Sequence, residues 1–265
     1  MKNIVKVRHL KLGEGVPKVC VSIVGKTNEE IIEEIKYLKG LNLDLVEWRV
    51  DYYKDVENID KVKDTLIKIR EEIEDLPLIF TFRSKKEGGE KELPIEYYSK
   101  LNKEIASTKI ADLIDIEAFI GDEIVKDIVN FAHSSSVIVL MSNHDFYKTP
   151  EKEEIINRLC KMQDLNADLA KIAVMPQSQK DVIILLSATE EMVRKYATIP
   201  IITMSMGGVG LISRLAGEIF GSVLTFASGK VSSAPGQIGV EDLHRVLDTI
   251  HENKYFSRGS KIIPD

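Results

Sequence analysis

The sequence predicts an α/β protein built as a (β/α)8 barrel, and three observations lead there. Eight short runs rich in Val, Ile, Leu and Phe alternate with eight longer segments whose apolar residues recur at helical spacing. The repeat averages about 30 residues, the size of one βα unit with its loops. Several short runs carry polar residues at their C-terminal ends, where barrel enzymes place their active sites. The competing architecture, a doubly wound open sheet, is usually marked by a G-x-G-x-x-G turn after the first strand. Here that turn reads Val24-Gly25-Lys26-Thr27, with a single glycine.

The hydrophilic start, Lys2–Pro17, holds two short alternating runs around Gly13 and Gly15 and reads as a hairpin closing the bottom of the barrel. Strands are expected at Val19–Val24, Leu43–Val50, Leu78–Arg83, Leu113–Glu117, Val137–Ser142, Leu169–Val174, Pro200–Met204 and Ser222–Phe226. Helices are expected at Glu29–Lys39, Lys61–Glu74, Glu96–Ser107, Glu123–His133, Glu151–Gln163 and Asp181–Lys195, then at Leu211–Phe220 and Val240–Glu252. Thr27 followed by Glu30 has the form of a capping box, and Thr149 before Pro150 that of an N-cap with proline in the first turn. No linker or low-complexity tract divides the chain. Residues 1–265 are therefore read as one catalytic domain, with 1–17 as the closing hairpin and 253–265 as a loose tail.

Composition narrows the partners. Over 265 residues, 36 Lys+Arg stand against 42 Asp+Glu, a net charge of −6. With no long basic run, counterion-release binding to nucleic acid is not expected. No stretch approaches the roughly 18 apolar residues of a membrane span, and the charged N-terminus forms no signal-peptide core. Cys20 and Cys160 make no disulfide framework, so a reducing cytoplasm is the expected compartment. His9, His133, His244 and His251 show no metal-ligand spacing, and a metal site is not expected.

Side chains alternate along a strand, so parity tells which of them share a face. Leu45, Glu47 and Arg49 go together, opposite Val46, Trp48 and Val50. The bulky apolar set belongs under the helices, which turns Glu47 and Arg49 into the barrel. Thr81 and Arg83 follow the same rule, as do Ser142 with His144, Lys171 with Ala173, and Ser22. Interior ion pairs among Glu47, Arg83 and Lys171 would account for one or two such residues. Five or six at one end of a sheet point instead to a site, because buried charge is costly unless used or paired.

Lys171 is the sharpest candidate. Burial disfavours an ammonium, and a lysine freed of its proton can attack a carbonyl to form a Schiff base. His144, ending the neighbouring strand, can carry protons near neutrality. Glu87, in the loop after the third strand, is placed to orient it. Two loops complete the mouth: Met206–Gly210, which leads into a helix bearing Arg214, and Ser232–Gln237, which reads as a lid.

Together these stretches resemble type I 3-dehydroquinate dehydratase. They are Glu47-Trp48-Arg49-Val50-Asp51, Phe82-Arg83 with Glu87-Gly88-Gly89, Ser142-Asn143-His144-Asp145-Phe146, Lys171-Ile172-Ala173, Met204-Ser205-Met206 with Ser213-Arg214, and Ser233-Ala234-Pro235-Gly236-Gln237. The resemblance runs from about Pro17 to His251 and shows no departure at the positions that carry chemistry. It implies cofactor-free syn elimination of water from 3-dehydroquinate to give 3-dehydroshikimate, a lyase step of the shikimate pathway. Lys171 would form the Schiff base, His144 would move protons, and Glu87 would hold His144. Arg214, Ser233 and Gln237 would bind the substrate carboxylate. Ser22, Glu47, Arg49 and Arg83 would meet ring hydroxyls or hold one another. Phe146, Met204, Met206, Phe226 and Ala234 would complete the substrate pocket, and a homodimer is implied. Two readings remain beside it: a class I aldolase sharing the lysine, and an inert barrel that only binds a small carboxylate.

Overall fold

The computed structural model describes residues 4–254. The expected loose tail lies almost wholly outside that range. The chain opens with an antiparallel hairpin, β1 (Val5–Val7) and β2 (Leu10–Leu12), pairing Val7 with Leu10 across the turn Arg8-His9. Gly13 and Gly15 follow the second strand and are not part of the turn. Eight parallel strands come next: β3 (Lys18–Ile23), β4 (Leu45–Arg49), β5 (Leu78–Thr81), β6 (Leu113–Glu117), β7 (Ile138–Asp145), β8 (Leu169–Val174), β9 (Ile201–Ser205) and β10 (Leu224–Ala227). They pair in chain order from β3 to β9, and β10 lies against β3. Between β9 and β10 the ring is joined by a single bridge, Ile201 to Ser222, with Val223 N donating to Ile201 O at 3.0 Å. Two hydroxyls stand in for the missing ladder at this seam. Ser222 Oγ accepts from Thr203 N at 3.0 Å, and Ser213 Oγ accepts from Ser205 N at 2.8 Å.

Helices α1 (Asn28–Leu38), α2 (Ile59–Ile73), α3 (Ile95–Thr108), α4 (Asp122–Ser134), α5 (Lys152–Asp164) and α6 (Gln179–Glu191) connect successive strands up to β9. After β9 come two short helices, α7 (Leu211–Leu215) and α8 (Gly217–Phe220), and after β10 comes α9 (Val240–Asn253). The single seventh helix expected from the sequence is therefore broken at Ala216. Its second half starts at Gly217, where an added Cβ would come 3.0 Å from Ser222 O and 3.3 Å from Pro17 Cγ. Thr27 does cap α1, accepting from Glu30 N at 3.3 Å, but the expected capping box is not closed, because Glu30 Oε2 accepts from Lys26 N at 2.7 Å. Thr149 does not cap α5: its hydroxyl donates to Met175 O at 3.1 Å, and Glu151 takes the cap position.

The outward strand residues, Val46, Trp48, Phe80, Ile114, Val139 and Ile172 among them, form one apolar layer with the helices. Burying each such side chain contributes about 1.5–3 kcal/mol. Inside the barrel the lowest layer is also apolar. Cys20, Leu45, Ile79, Leu113, Leu140, Leu169, Ile202 and Leu224 meet Val7, Leu10 and Leu12 of the hairpin, which plugs the bottom. Two residues further along each strand the interior becomes Ser22, Glu47, Thr81, Asp115, Ser142, Lys171, Met204 and Phe226. That change from hydrocarbon to polar groups marks where the site begins.

Candidate active site

Lys171, in the middle of β8, rises from the apolar floor. Its Nζ lies 3.7 Å from Asp115 Oδ2 and 3.9 Å from Glu47 Oε1, and 4.3 Å from the centre of the Phe226 ring. Glu47 is held by Ser22 Oγ at 2.5 Å and Thr81 Oγ1 at 2.8 Å. Both donors come from flanking strands, as the parallel register of β3, β4 and β5 requires.

Arg83, just past β5, crosses toward β6 and β7. Nη2 reaches Asp115 Oδ1 at 2.7 Å, while Nη1 reaches Glu117 Oε1 at 3.0 Å and Ser142 Oγ at 2.9 Å. Ser142 passes the chain on, donating to Asp115 Oδ1 at 2.6 Å. Arg49 makes a two-pronged pair with Asp51, 2.8 Å on each side. Asp51 also accepts from Arg83 N at 3.3 Å and Glu90 N at 3.1 Å, so one buried acid fixes both an arginine and the loop 84–90.

That loop carries Glu87. Its Oε2 accepts from His144 N at 2.8 Å and meets His144 Nδ1 at 3.0 Å, and its Oε1 accepts from Asn143 Nδ2 at 3.1 Å. The carboxylate requires a proton on Nδ1, which leaves Nε2 as the basic nitrogen. Burial, with Arg83, Lys171 and Arg49 nearby, holds His144 well below the usual imidazole range, so its ring is neutral at pH 7. Burial, reinforced by Glu117, pushes Glu87 up to about 7. Gly88, at φ +86°, has to be glycine here, since a Cβ would sit 2.2 Å from the Phe146 ring.

Arg214, on α7, is different from the other arginines. It is 2% exposed, and its recorded contacts are Pro235 O at 3.1 Å and Met204 Sδ at 3.5 Å. Among the described residues Nε has no hydrogen-bond partner, and burial brings the guanidinium down to about 10. Among the described residues no carboxylate neutralises this buried cation, and a guanidinium so placed suits a planar anion.

The segment after β10 closes the top. Its base is joined by a bridge between Ser228 and Gly239. Ser233 Oγ donates to Ser22 Oγ at 3.0 Å, Gln237 Nε2 donates to Ser233 Oγ at 3.1 Å, and Pro235 O accepts from Gly207 N at 3.1 Å. These bonds hold the segment over the mouth. Ser22, Glu47, Arg49, Arg83, Glu87, His144, Phe146, Lys171, Met204, Met206, Arg214, Phe226, Ser233, Ala234 and Gln237 all line the one cavity beneath it, joined by Gly88 and Ala173. Asp115 and Glu117, buried on β6, escaped the sequence reading. The alternation Leu113-Ile114-Asp115-Ile116-Glu117 carried the same parity signal as β4 and would have found them. Asp51 had only its place in the Glu47–Asp51 stretch, and its role as an anchor is a tertiary fact. Among the described residues no three of His, Cys, Asp and Glu are arranged to hold a metal ion.

Residues 19–254 match the family model of type I 3-dehydroquinase. The chain belongs to the type I 3-dehydroquinase family. Relatives include the 3-dehydroquinate dehydratases of Clostridium botulinum, 62% identical over 96% of this chain and 100% of that protein, and of Clostridioides difficile, 57% identical over 96% and 99%. The crystal structure of the type I enzyme from Clostridium difficile, with covalent modified comenic acid, superposes with a TM-score of 0.92 at 57% identity, covering 95% of this chain and 98% of that one. The Enterococcus faecalis enzyme gives 0.87 at 42% identity, over 92% and 98%. Like the rest of the type I 3-dehydroquinase family, this chain is an enzyme, a hydro-lyase of the shikimate pathway. Among its described residues no helix is long and apolar enough to cross a membrane.

Proposed function

We propose that this enzyme dehydrates 3-dehydroquinate to 3-dehydroshikimate through a Schiff base on Lys171. The observation that carries the proposal is a primary amine buried at the floor of a closed cavity, one strand away from a His144–Glu87 pair. The Lys171 amine adds to the C3 ketone, and the carbinolamine loses water to give an iminium. That cation draws electrons from the adjacent carbon, so the C2 proton becomes acidic. His144 Nε2 takes it, and the electron pair forms an enamine. The imidazolium, its charge balanced by Glu87, then protonates the C1 hydroxyl as it leaves. One ring both removes and delivers the proton, which implies a syn course. Water finally hydrolyses the product iminium and frees Lys171.

Arg214 offers its unpaired guanidinium to the substrate carboxylate, with Ser233 and Gln237 of the lid beside it. Glu47, Arg49 and Arg83 present fixed polar groups to the ring hydroxyls. Met204, Met206, Phe146 and Phe226 keep bulk water from the iminium. A relative solved with a covalently modified ligand is in keeping with covalent chemistry in this family. The test is borohydride reduction during turnover of 3-dehydroquinate, followed by peptide mass analysis. An irreversible adduct on Lys171, absent from Lys171→Ala, is expected; turnover with no adduct would replace the Schiff base by an enolate route.

A further inference from the structure

The His144–Glu87 pair is not the end of its hydrogen-bond chain. Glu87 Oε1 accepts from Asn143 Nδ2 at 3.1 Å, and Asn143 Oδ1 accepts in turn from Arg158 Nη1 at 3.0 Å. Arg158 lies on α5, outside the barrel wall and absent from the cavity lining. Its Nε donates to Glu154 Oε1 at 2.8 Å, its Nη1 also lies 3.8 Å from Asp145 Oδ2, and its guanidinium carbon lies 5.8 Å from the centre of the Phe119 ring. Asn143 sits on β7 with parity opposite to Ser142 and His144, so it too belongs to the outer face, and it meets Glu87 of the loop after β5 through its side-chain amide.

We propose that Asn143, with its amide polarity set by Arg158, is a positioning residue that aims the Glu87 carboxylate at His144. An asparagine amide is nearly symmetric in shape but not in polarity. Between a guanidinium, which can only donate, and a carboxylate, which can only accept, a single orientation satisfies both ends. In the flipped orientation Oδ1 would face Glu87 Oε1, acceptor to acceptor, and the NH2 would face Arg158. Arg158 thereby dictates that Asn143 presents a donor to Oε1, leaving Oε2 for His144 N and Nδ1. The same bond favours the ionised form of Glu87 against burial and the neighbouring Glu117, while Arg83, 3.8 Å away, acts in the same sense as Asn143. Without it Glu87 would hold its proton to higher pH, and a protonated Glu87 no longer neutralises the imidazolium that forms during turnover.

This inference rests on His144 being the proton carrier, and the experiment separates the two. Turnover of 3-dehydroquinate is measured across pH for Asn143→Ala, Asn143→Asp, Arg158→Met and His144→Ala, with circular dichroism and thermal unfolding as folding checks. Asn143→Ala should lower kcat about tenfold to a hundredfold, part of the hundredfold or more that a positioned acid–base group supplies. KM should stay within about twofold, and the acid limb of the kcat profile should move to higher pH. Asn143→Asp keeps the shape but sets an acceptor against Glu87, so it should be worse than Ala, whereas a purely structural role would make the isostere the milder change. Arg158→Met, which touches nothing in the cavity, should shift the acid limb in the same direction with a smaller loss. Folded Asn143 and Arg158 variants with unmoved limbs, or an active Asn143→Asp beside a crippled Asn143→Ala, would overturn the proposal while an inactive His144→Ala leaves the parent reading intact. Near-normal turnover by His144→Ala would instead remove both.

Discussion

Single residues at the mouth fall into two kinds. Glu47, Arg49, Asp51, Arg83 and Asp115 are buried charges whose partners belong to the protein, and such groups are tolerated because the pairing offsets lost hydration. Arg214 is buried with a carbonyl oxygen and a thioether, neither of which neutralises it. Removing it should therefore act in opposite directions on the empty and the loaded enzyme. Arg214→Met should leave the unliganded protein as stable as before or more so in thermal unfolding, since an uncompensated cation is gone. It should also raise KM about tenfold to a hundredfold, the worth of a charge-assisted bond of about 1.5–3 kcal/mol. A lowered melting point with unchanged KM would make Arg214 a structural residue. Parity was enough to find Glu47, Arg49 and Arg83 from the sequence. It would have placed Asp115 and Glu117 just as well, but no motif drew attention to β6 and they were missed. Asn143 and Arg158 were invisible for a different reason: their partners are separated along the chain by 56 and 15 residues and meet only when β7, α5 and the loop after β5 are assembled.

Among the elements, the lid and the loop before α7 form a latch. Gly236 has φ +79°, and a Cβ there would come 2.3 Å from Gly207 O. Pro235 O accepts from both Gly207 N and Arg214 Nη2, so the covering segment, the loop before α7 and Arg214 share one acceptor. Gly236→Ala adds left-handed strain of about 1–2 kcal/mol to a contact with backbone that cannot yield. It should hold the lid open and raise KM about tenfold or more in steady-state kinetics. Gly208→Ala, where an added Cβ meets nothing within 4 Å, is the matched control and should be neutral. Equal behaviour of the two variants would dismiss the latch. The sequence marked Ser232–Gln237 as a covering loop from its glycine, proline and hydroxyl content. It did not mark the break at Ala216, because the apolar spacing of Leu211–Phe220 runs on unbroken while the chain turns to follow the incomplete seam between β9 and β10.

At the scale of the whole molecule, the site sets stability and activity against each other. Glu87 stands at about 7 in the folded enzyme, above the roughly 4.3 of an unfolded chain. The folded state therefore binds the extra proton between those values. Its contribution to stability is fully present below about pH 4 and is lost as pH rises through about 7. On the proposed mechanism activity runs the other way, because there only ionised Glu87 balances the His144 imidazolium. Between about pH 5 and 8 the urea midpoint of the wild type should fall relative to that of Glu87→Gln while wild-type kcat rises. Urea titrations and initial rates over that range check both slopes, and a Glu87→Gln variant with the same stability profile as wild type would contradict the sign.

The alternation of apolar and polar residues, by itself, determined the barrel, the hairpin beneath it and which strand residues point inward, since these depend on local periodicity and on burying one face of each element. Family-specific spacing added the reaction. Tertiary structure alone decided which charges neutralise one another, which buried cation has no carboxylate beside it among the described residues, and which nitrogen of His144 faces Glu87. Those are matters of distances of about 3 Å between groups far apart in the chain, and hydrophobic patterning, blind to the identity of a polar partner, carries no record of them.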